Sequence, residues 1–189
     1  MSESLRYQHQ LGKLSRFLLM LLRHQPARFP VRLDDQGFAD LGEVLRVVHA
    51  LPNLRWATLS DVEAVLHMPG PRRFEIIDDG TRARRIRALY GHTARHLDYK
   101  PVEPPDTLYF GAAPEAVDRI RREGLNPDER SYVHLVDDPQ PARRAALSET
   151  PDPVVLTIDA AAACAAGITF YSPAEGLYLC AAIPPQFIT

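Results

Sequence analysis

The chain has 189 residues, enough for one large domain or two small ones, each with a core of its own. Its hydrophobic share of 46% is ordinary for a globular protein, its longest wholly apolar run outside alanine (residues 17–22) is far short of a membrane span, and no secretory leader pattern opens it. A cytoplasmic, monomeric protein without a membrane partner is therefore expected. The net charge of −2 conceals a split: residues 1–100 carry 16 Lys and Arg against 11 Asp and Glu, whereas residues 101–189 carry 6 against 13. The first half suits a polyanion and the second does not.

In chain order, residues 14–26 read LSRFLLMLLRHQP. Leu14, Phe17, Leu18, Leu21 and Leu22 form the stripe of an amphipathic helix, and Leu19 and Met20 extend it round the other side, so the helix is expected between two layers of protein. Arg16 and Arg23 then share a face seven residues apart, and Pro26 forces the chain out of helix just after His24. Arg23 and His24 side by side at a helix end suit a phosphate, Arg as a bidentate fork and His as a titratable donor. Spacing alone favours a pair that merely caps the last carbonyls.

Residues 41–51 carry Leu41, Val44, Leu45, Val48 and Leu51 at helical spacing, closed by Pro52. Two overlapping capping boxes, Thr58 to Asp61 and Ser60 to Glu63, open a short third helix ended by Pro69 and Gly70. Residues 73–77 and 84–88 are strand-like runs around Asp79-Gly80, a hairpin signal. Three helices followed by a basic hairpin describe a winged helix, a nucleic-acid-binding architecture, with Arg72, Arg73, Arg82, Arg84, Arg85 and Arg87 on its wing. A solvated charged hairpin would read the same way.

Residues 96–105 end in three prolines and read as a linker, which gives an expected division at 1–99 and 100–189. Beyond it come a strand at 108–110, a helix at 114–122 stopped by Gly124, a strand at 132–135, a helix at 141–148 and a strand at 154–158. Asp159 then caps an alanine-rich helix that Gly167 closes, and strands at 169–171 and 177–182 follow. Regular βαβ alternation is missing, so the expected class is α+β.

There is no Gly-rich phosphate loop, GxSxG, HExxH or CxxC. Cys164 and Cys180 read as small core residues. His92 and His96 have the spacing of helical metal ligands but follow a strand and precede the linker, so no metal is expected. What stands out is a set of Arg and His residues at element ends: Arg23, His24, Arg87, Arg130 and His134.

Those residues sit in motifs that resemble a known family. LSRFLLMLLRHQP, IRALYGHT, LYFGA, RSYVHLVDD and FYSPAEGLYLCAAIPPQFI are similar, in order and over residues 11–188, to the motifs of the NAD-dependent RNA 2′-phosphotransferases. The resemblance implies an N-terminal winged-helix lobe packed on a C-terminal lobe like that of the ADP-ribosyltransferases, with the active site between them. It maps the family's catalytic Arg, His, Arg, Arg group onto Arg23, His24, Arg87 and Arg130. It assigns NAD, as co-substrate, to Tyr109, Phe110, Gly111 and His134, and RNA contacts to Arg16, Arg84, Arg85, His92 and Thr93. Three positions depart from the family's usual residues: Phe110 stands for His, Ala112 for Thr and Tyr90 for Gln.

The implied reaction needs no metal. An RNA 2′-phosphate, in a tRNA splice junction by family default, attacks the anomeric ribose carbon of NAD and expels nicotinamide, and the vicinal ribose hydroxyl then attacks phosphorus. The products are 2′-hydroxyl RNA and ADP-ribose 1″,2″-cyclic phosphate. Two other functions fit the same residues: an ADP-ribosyltransferase that caps nucleic-acid phosphates and stops after the first step, and a non-catalytic RNA-binding module.

Overall fold

The computed structural model describes residues 3–24, 26–69, 72–78, 80, 83–92, 97–127 and 130–189. Thr93, together with Asp79 and Arg82 of the hairpin and His96 of the histidine pair, lies outside the described residues. The protein is α+β, and the chain divides into two compact units, Met1–Asp98 and Tyr99–Thr189.

The first unit begins with helix α1 (Glu3–Leu19), which passes without a break into a π-helical turn (Met20–His24). Leu11, Leu14, Leu18, Leu21 and Leu22 are all buried in one core, to which Phe17 and Leu19 add partly buried surface. The π turn holds more residues per turn than an α-helix. Arg23 therefore does not stack directly below Arg16 as straight helical spacing implies; Arg16 is exposed and Arg23 half-buried. Helix α2 (Leu41–Ala50) is capped by Asp40, whose carboxylate accepts from the Glu43 N–H, and it buries Leu41, Val44, Val47 and Val48. Helix α3 (Leu59–Leu66) packs on α1 and uses the first of the two possible capping boxes, Thr58 with Asp61.

Three antiparallel strands complete the unit in the order β1-β3-β2, with β1 at Ala39–Asp40, β2 at Phe74–Ile77 and β3 at Arg85–Ala88. Period-2 alternation turns Phe74, Ile86 and Ala88 into the core and leaves Glu75, Arg85 and Arg87 on the other face. Register sets Glu75 directly opposite Arg87.

The second unit is built on a six-stranded antiparallel sheet in the order β4-β8-β9-β6-β5-β7. Its strands are β4 (Pro101–Val102), β5 (Thr107–Ala112), β6 (Val133–Val136), β7 (Val154–Asp159), β8 (Phe170–Ala174) and β9 (Leu177–Cys180). One face carries Leu108, Ala112, Val133, Leu135, Leu156, Ile158, Phe170 and Cys180 into a core shared with helix α4 (Pro114–Glu123) and helix α6 (Ala160–Ala165). The opposite face is crossed at β5, β6 and β7 by helix α5 (Pro139–Ala146). Local signals set the helix ends: Asp159 accepts from the Ala162 N–H, and Gly124, at φ +83°, turns the chain out of α4.

Candidate active site

In the first unit the two candidate arginines sit on adjoining elements, Arg23 on the π turn and Arg87 on β3, which pack together. The Arg23 guanidinium lies over the Tyr90 ring, its Cζ 4.5 Å from the centroid, with Nε and Nη2 shielded from solvent. Its Nη1 also runs 3.0 Å from where a side chain on Gly91 would begin. Gly91 has φ +76°, a conformation that favours glycine, so the turn both passes close to the arginine and needs the residue it has. His24, the next residue along the π turn, is exposed.

Arg87 is held differently. Its Nε and Nη2 both donate to one Glu75 carboxylate oxygen, at 2.8 and 2.7 Å, Nη1 donates to the Gln36 carbonyl at 3.3 Å, and the plane lies 4.5 Å over Phe38. These contacts use three of the five guanidinium N–H bonds and leave one on each terminal nitrogen. A carboxylate beside the cation lowers its net field but fixes its plane, so what it presents to an anion is geometry more than charge.

The wing arginines assigned to RNA are internally paired. Arg84 meets Glu63 at 2.6 Å and Arg85 meets Asp34 at 2.9 Å, each side chain a little over one-third exposed. Their positive charge is thus largely balanced within the unit. His92 is 5% exposed and its Nε2 donates to the Ala88 carbonyl at 3.0 Å, so the ring braces the 88–92 turn and does not stand on the surface. Among the assigned RNA contacts, Arg16 is the exposed cation.

In the second unit, strand β5 pairs with β7 along Thr107–Ala112, but its ladder with β6 holds one registered pair, Tyr109 with Val136. Had that ladder continued, Gly111 would face His134; instead residues 110–112 have no strand partner on that side among the described residues. A strand edge of this kind offers alternate N–H and C=O groups, the donor and acceptor set a carboxamide needs. Tyr109, Gly111 and His134 project from the same face. His134 Nδ1 donates to the Tyr132 carbonyl at 3.0 Å, and its Nε2 is buried. The rings of Tyr99, Tyr132 and Tyr171 contact one another beside it, at centroid distances of 5.5 to 6.2 Å.

Gly111 has a second reason to lack a side chain, because α5 approaches so closely that a Cβ there would stand 2.2 Å from the Ala142 carbonyl oxygen. Phe110 points the other way, packing at the edge of the α4 core and lining a cavity of about 140 Å³ with Gly111, Ala112, Arg119, Glu123 and Glu149. Arg130 is exposed, three residues before β6. Cys180 is fully buried and its thiol is pushed up to about 12 by burial, which removes it as a nucleophile at neutral pH. The described residues contain no cluster of His, Cys, Asp or Glu able to hold a metal and no helix long and apolar enough to cross a membrane.

Sequence reading missed Glu75, Phe38 and the Tyr90–Gly91 contact to Arg23. Tyr90 and Gly91 had left a trace, the tyrosine as a departure from the family's usual residue and the glycine as a turn residue directly after a strand, but neither pointed to Arg23.

Comparison with known proteins gives a consistent result. The family described as RNA 2′-phosphotransferase, Tpt1 / KptA family, matches residues 9–182. The chain is similar to a probable RNA 2′-phosphotransferase of Streptomyces griseus, 39% identical over 183 residues, which cover 93% of this chain and 94% of the relative. It is 38% identical over 181 residues to a protein of the same name from Hahella chejuensis, covering 95% and 94% of the two chains. A third, from Agrobacterium fabrum, is 38% identical over 181 residues, covering 93% and 91%.

Proposed function

The chain belongs to the RNA 2′-phosphotransferase, Tpt1 / KptA family, and from that premise we propose that it removes an RNA 2′-phosphate by transferring it to NAD, by way of an ADP-ribosylated RNA phosphate. It is an enzyme, an RNA 2′-phosphotransferase. The first unit is read as a winged-helix RNA-binding lobe and the second as an ADP-ribosyltransferase-like lobe. The RNA is proposed to be a tRNA with a 2′-phosphate at its splice junction.

The observation that best supports this reading is the setting of Arg23 and Arg87. Both are immobilised from the side, one by an aromatic face and one by a carboxylate, and Arg87 keeps one N–H bond on each terminal nitrogen for an anion. With Arg130 they would grip a phosphate dianion and stabilise the charge that grows on its oxygens when phosphorus is attacked. One such donor is typically worth about 10² to 10³ in rate. His24, exposed next to Arg23, would donate to a phosphate oxygen or move a proton.

The residues of the second unit fit a dinucleotide. The strand edge beyond Tyr109, without a strand partner on the β6 side among the described residues, matches a carboxamide. Tyr109, Phe110, Gly111 and His134 would hold the NAD, which supplies an electrophilic ribose carbon with nicotinamide as leaving group and a neighbouring hydroxyl. His134 would meet a ribose hydroxyl, and the tyrosines beside it would keep water away. Arg16, exposed on α1, would carry more of the RNA phosphate contact than the paired Arg84 and Arg85 of the wing.

The test is a short RNA carrying one internal 2′-phosphate, incubated with and without NAD, with RNA and small-molecule products resolved. The phosphate should leave only with NAD, with one nicotinamide released per turnover and no effect of EDTA. Turnover without NAD, or an adduct that stays on the RNA, would overturn the proposal.

A further inference from the structure

We propose that the solvent-facing side of α1 is the docking surface for the RNA strand that flanks the 2′-phosphate, gripped through its backbone phosphates by Arg6, Lys13 and Arg16. The inference deepens the proposed activity by naming where that substrate lies on the first unit. At 100° per residue, positions 6, 9, 13 and 16 of the helix fall within an arc of about 80°, so Arg6, His9, Lys13 and Arg16 make one stripe. All four are exposed. Leu11, Leu14 and Leu18 mark the other side of the helix, sunk in the core of the unit.

The charge on this stripe is not balanced by the protein. The one acidic residue of α1 is Glu3, in its first turn. Arg6, Lys13 and Arg16 make no ion pair among the described residues, whereas Arg84, Arg85 and Arg87 each meet a carboxylate. From Arg6 to Arg16 the stripe runs about 15 Å at 1.5 Å per residue, the length of about four nucleotides in a stacked strand that advances about 3.4 Å for each. Cations strung along a helix in this way suit a nucleic-acid backbone, which can meet all three, better than a compact anion, which meets one. An anionic membrane also attracts a basic helix, but the apolar face that such a helix sinks into lipid is here committed to the core. α1 passes without a break into the π turn of Arg23 and His24, so a strand lying along it leads to the residues proposed to handle the 2′-phosphate. Because the contacts are to phosphates, the surface fixes the position of the RNA and does not read its sequence.

The experiment measures, by filter binding without NAD, the affinity for a single-stranded RNA carrying one internal 2′-phosphate between about 50 and 200 mM salt. Each phosphate neutralised on a single strand contributes about 0.7 to the slope of log K against log salt. Arg6→Gln with Lys13→Gln should therefore flatten the slope by about 1.4, and the triple variant with Arg16→Gln by about 2. Glutamine matches arginine and lysine in helix propensity and the positions are exposed, so folding is preserved. Arg6→Lys with Arg16→Lys keeps the charge and should keep the slope. Arg121→Gln with Arg122→Gln, two exposed cations on α4, removes as much net charge as the α1 pair and should leave the slope unchanged. An unchanged slope in the triple variant, or equal flattening by the α4 and α1 pairs, would overturn the proposal. So would a triple variant that loses binding to vesicles of anionic phospholipid and keeps its binding to RNA. If wild type fails to remove the 2′-phosphate with NAD while the α1 variants still flatten the slope, the proposed reaction falls and the RNA surface stands, so the two failures are told apart.

Discussion

Replacing Gly111 by alanine should unseat helix α5. The new methyl would stand 2.2 Å from the Ala142 carbonyl oxygen, 2.9 Å from the Ala142 carbonyl carbon and 2.9 Å from the Ala146 Cβ. Carbon and oxygen rest at about 3.3 to 3.6 Å, so the helix must retreat by about 1 Å. Because the obstruction is backbone, no rotamer change relieves it, and because α5 crosses β5, β6 and β7, retreat loosens three strands at once. Overpacking typically costs 1 to 3 kcal/mol, and with a backbone obstruction we expect about 3 kcal/mol. At this chain length that lowers Tm by about 6 to 12 °C. Thermal denaturation followed by circular dichroism measures it. Adding Ala146→Gly should recover little, since it removes the methyl contact and leaves the carbonyl. A Gly111→Ala protein that melts within about 1 °C of wild type would show that α5 does not approach β5 as described. It would also leave cofactor binding as the sole reason for glycine at this position.

Three further outcomes are expected. Glu75→Gln removes the carboxylate that balances Arg87, so RNA affinity should rise and the slope of log K against log salt should steepen by about 0.7, one more phosphate charge neutralised on a single strand; filter binding at several salt concentrations checks it, and an unchanged slope counts against the pairing. Phe110→His puts a hydrogen-bonding ring where the cavity is now lined by hydrocarbon, and a gained bond of about 0.5 to 1.5 kcal/mol should tighten NAD binding up to roughly tenfold by calorimetry; weaker binding would mean a differently built pocket. Asp61 is pushed up by its partial burial, but hydrogen bonds from the Thr58 backbone, the Thr58 hydroxyl and Tyr7 outweigh this and hold it below its ordinary 3.8. A depressed carboxyl contributes stability above its unfolded pKa and loses it as pH falls through the folded one, so the Tm advantage of wild type over Asp61→Asn should be present at pH 6, begin to shrink as pH falls through about 4 and disappear only at more acid pH, below the folded-state value.

Much of this molecule was legible from residues close together in the chain. Thr58 with Asp61, Asp159 before the alanines and Gly124 after α4 act over three or four residues, and the helices begin and end where these signals stand. The paired runs of β2 and β3 and the order of helices and strands follow from periodicity, again a local property. The candidate arginines were visible because their motifs resemble a family, not because spacing singles them out.

What holds those arginines was decided only in three dimensions. A two-residue turn at Asp79-Gly80 would have set Glu75 opposite Arg84, whereas the observed register sets it opposite Arg87. A shift of this kind changes which cation is pinned and depends on the length of the whole connection and on burying Phe74, Ile86 and Ala88 together. The π turn that carries Arg23 to Tyr90, the early end of the β5–β6 ladder and the close approach of α5 to Gly111 are likewise matters of packing between segments tens of residues apart. Local chemistry determined the elements of this chain and the kinds of residue at its candidate site. Which partner each of those residues meets was left to the tertiary structure, because burial and register are satisfied globally and a residue's neighbours in sequence carry no record of them.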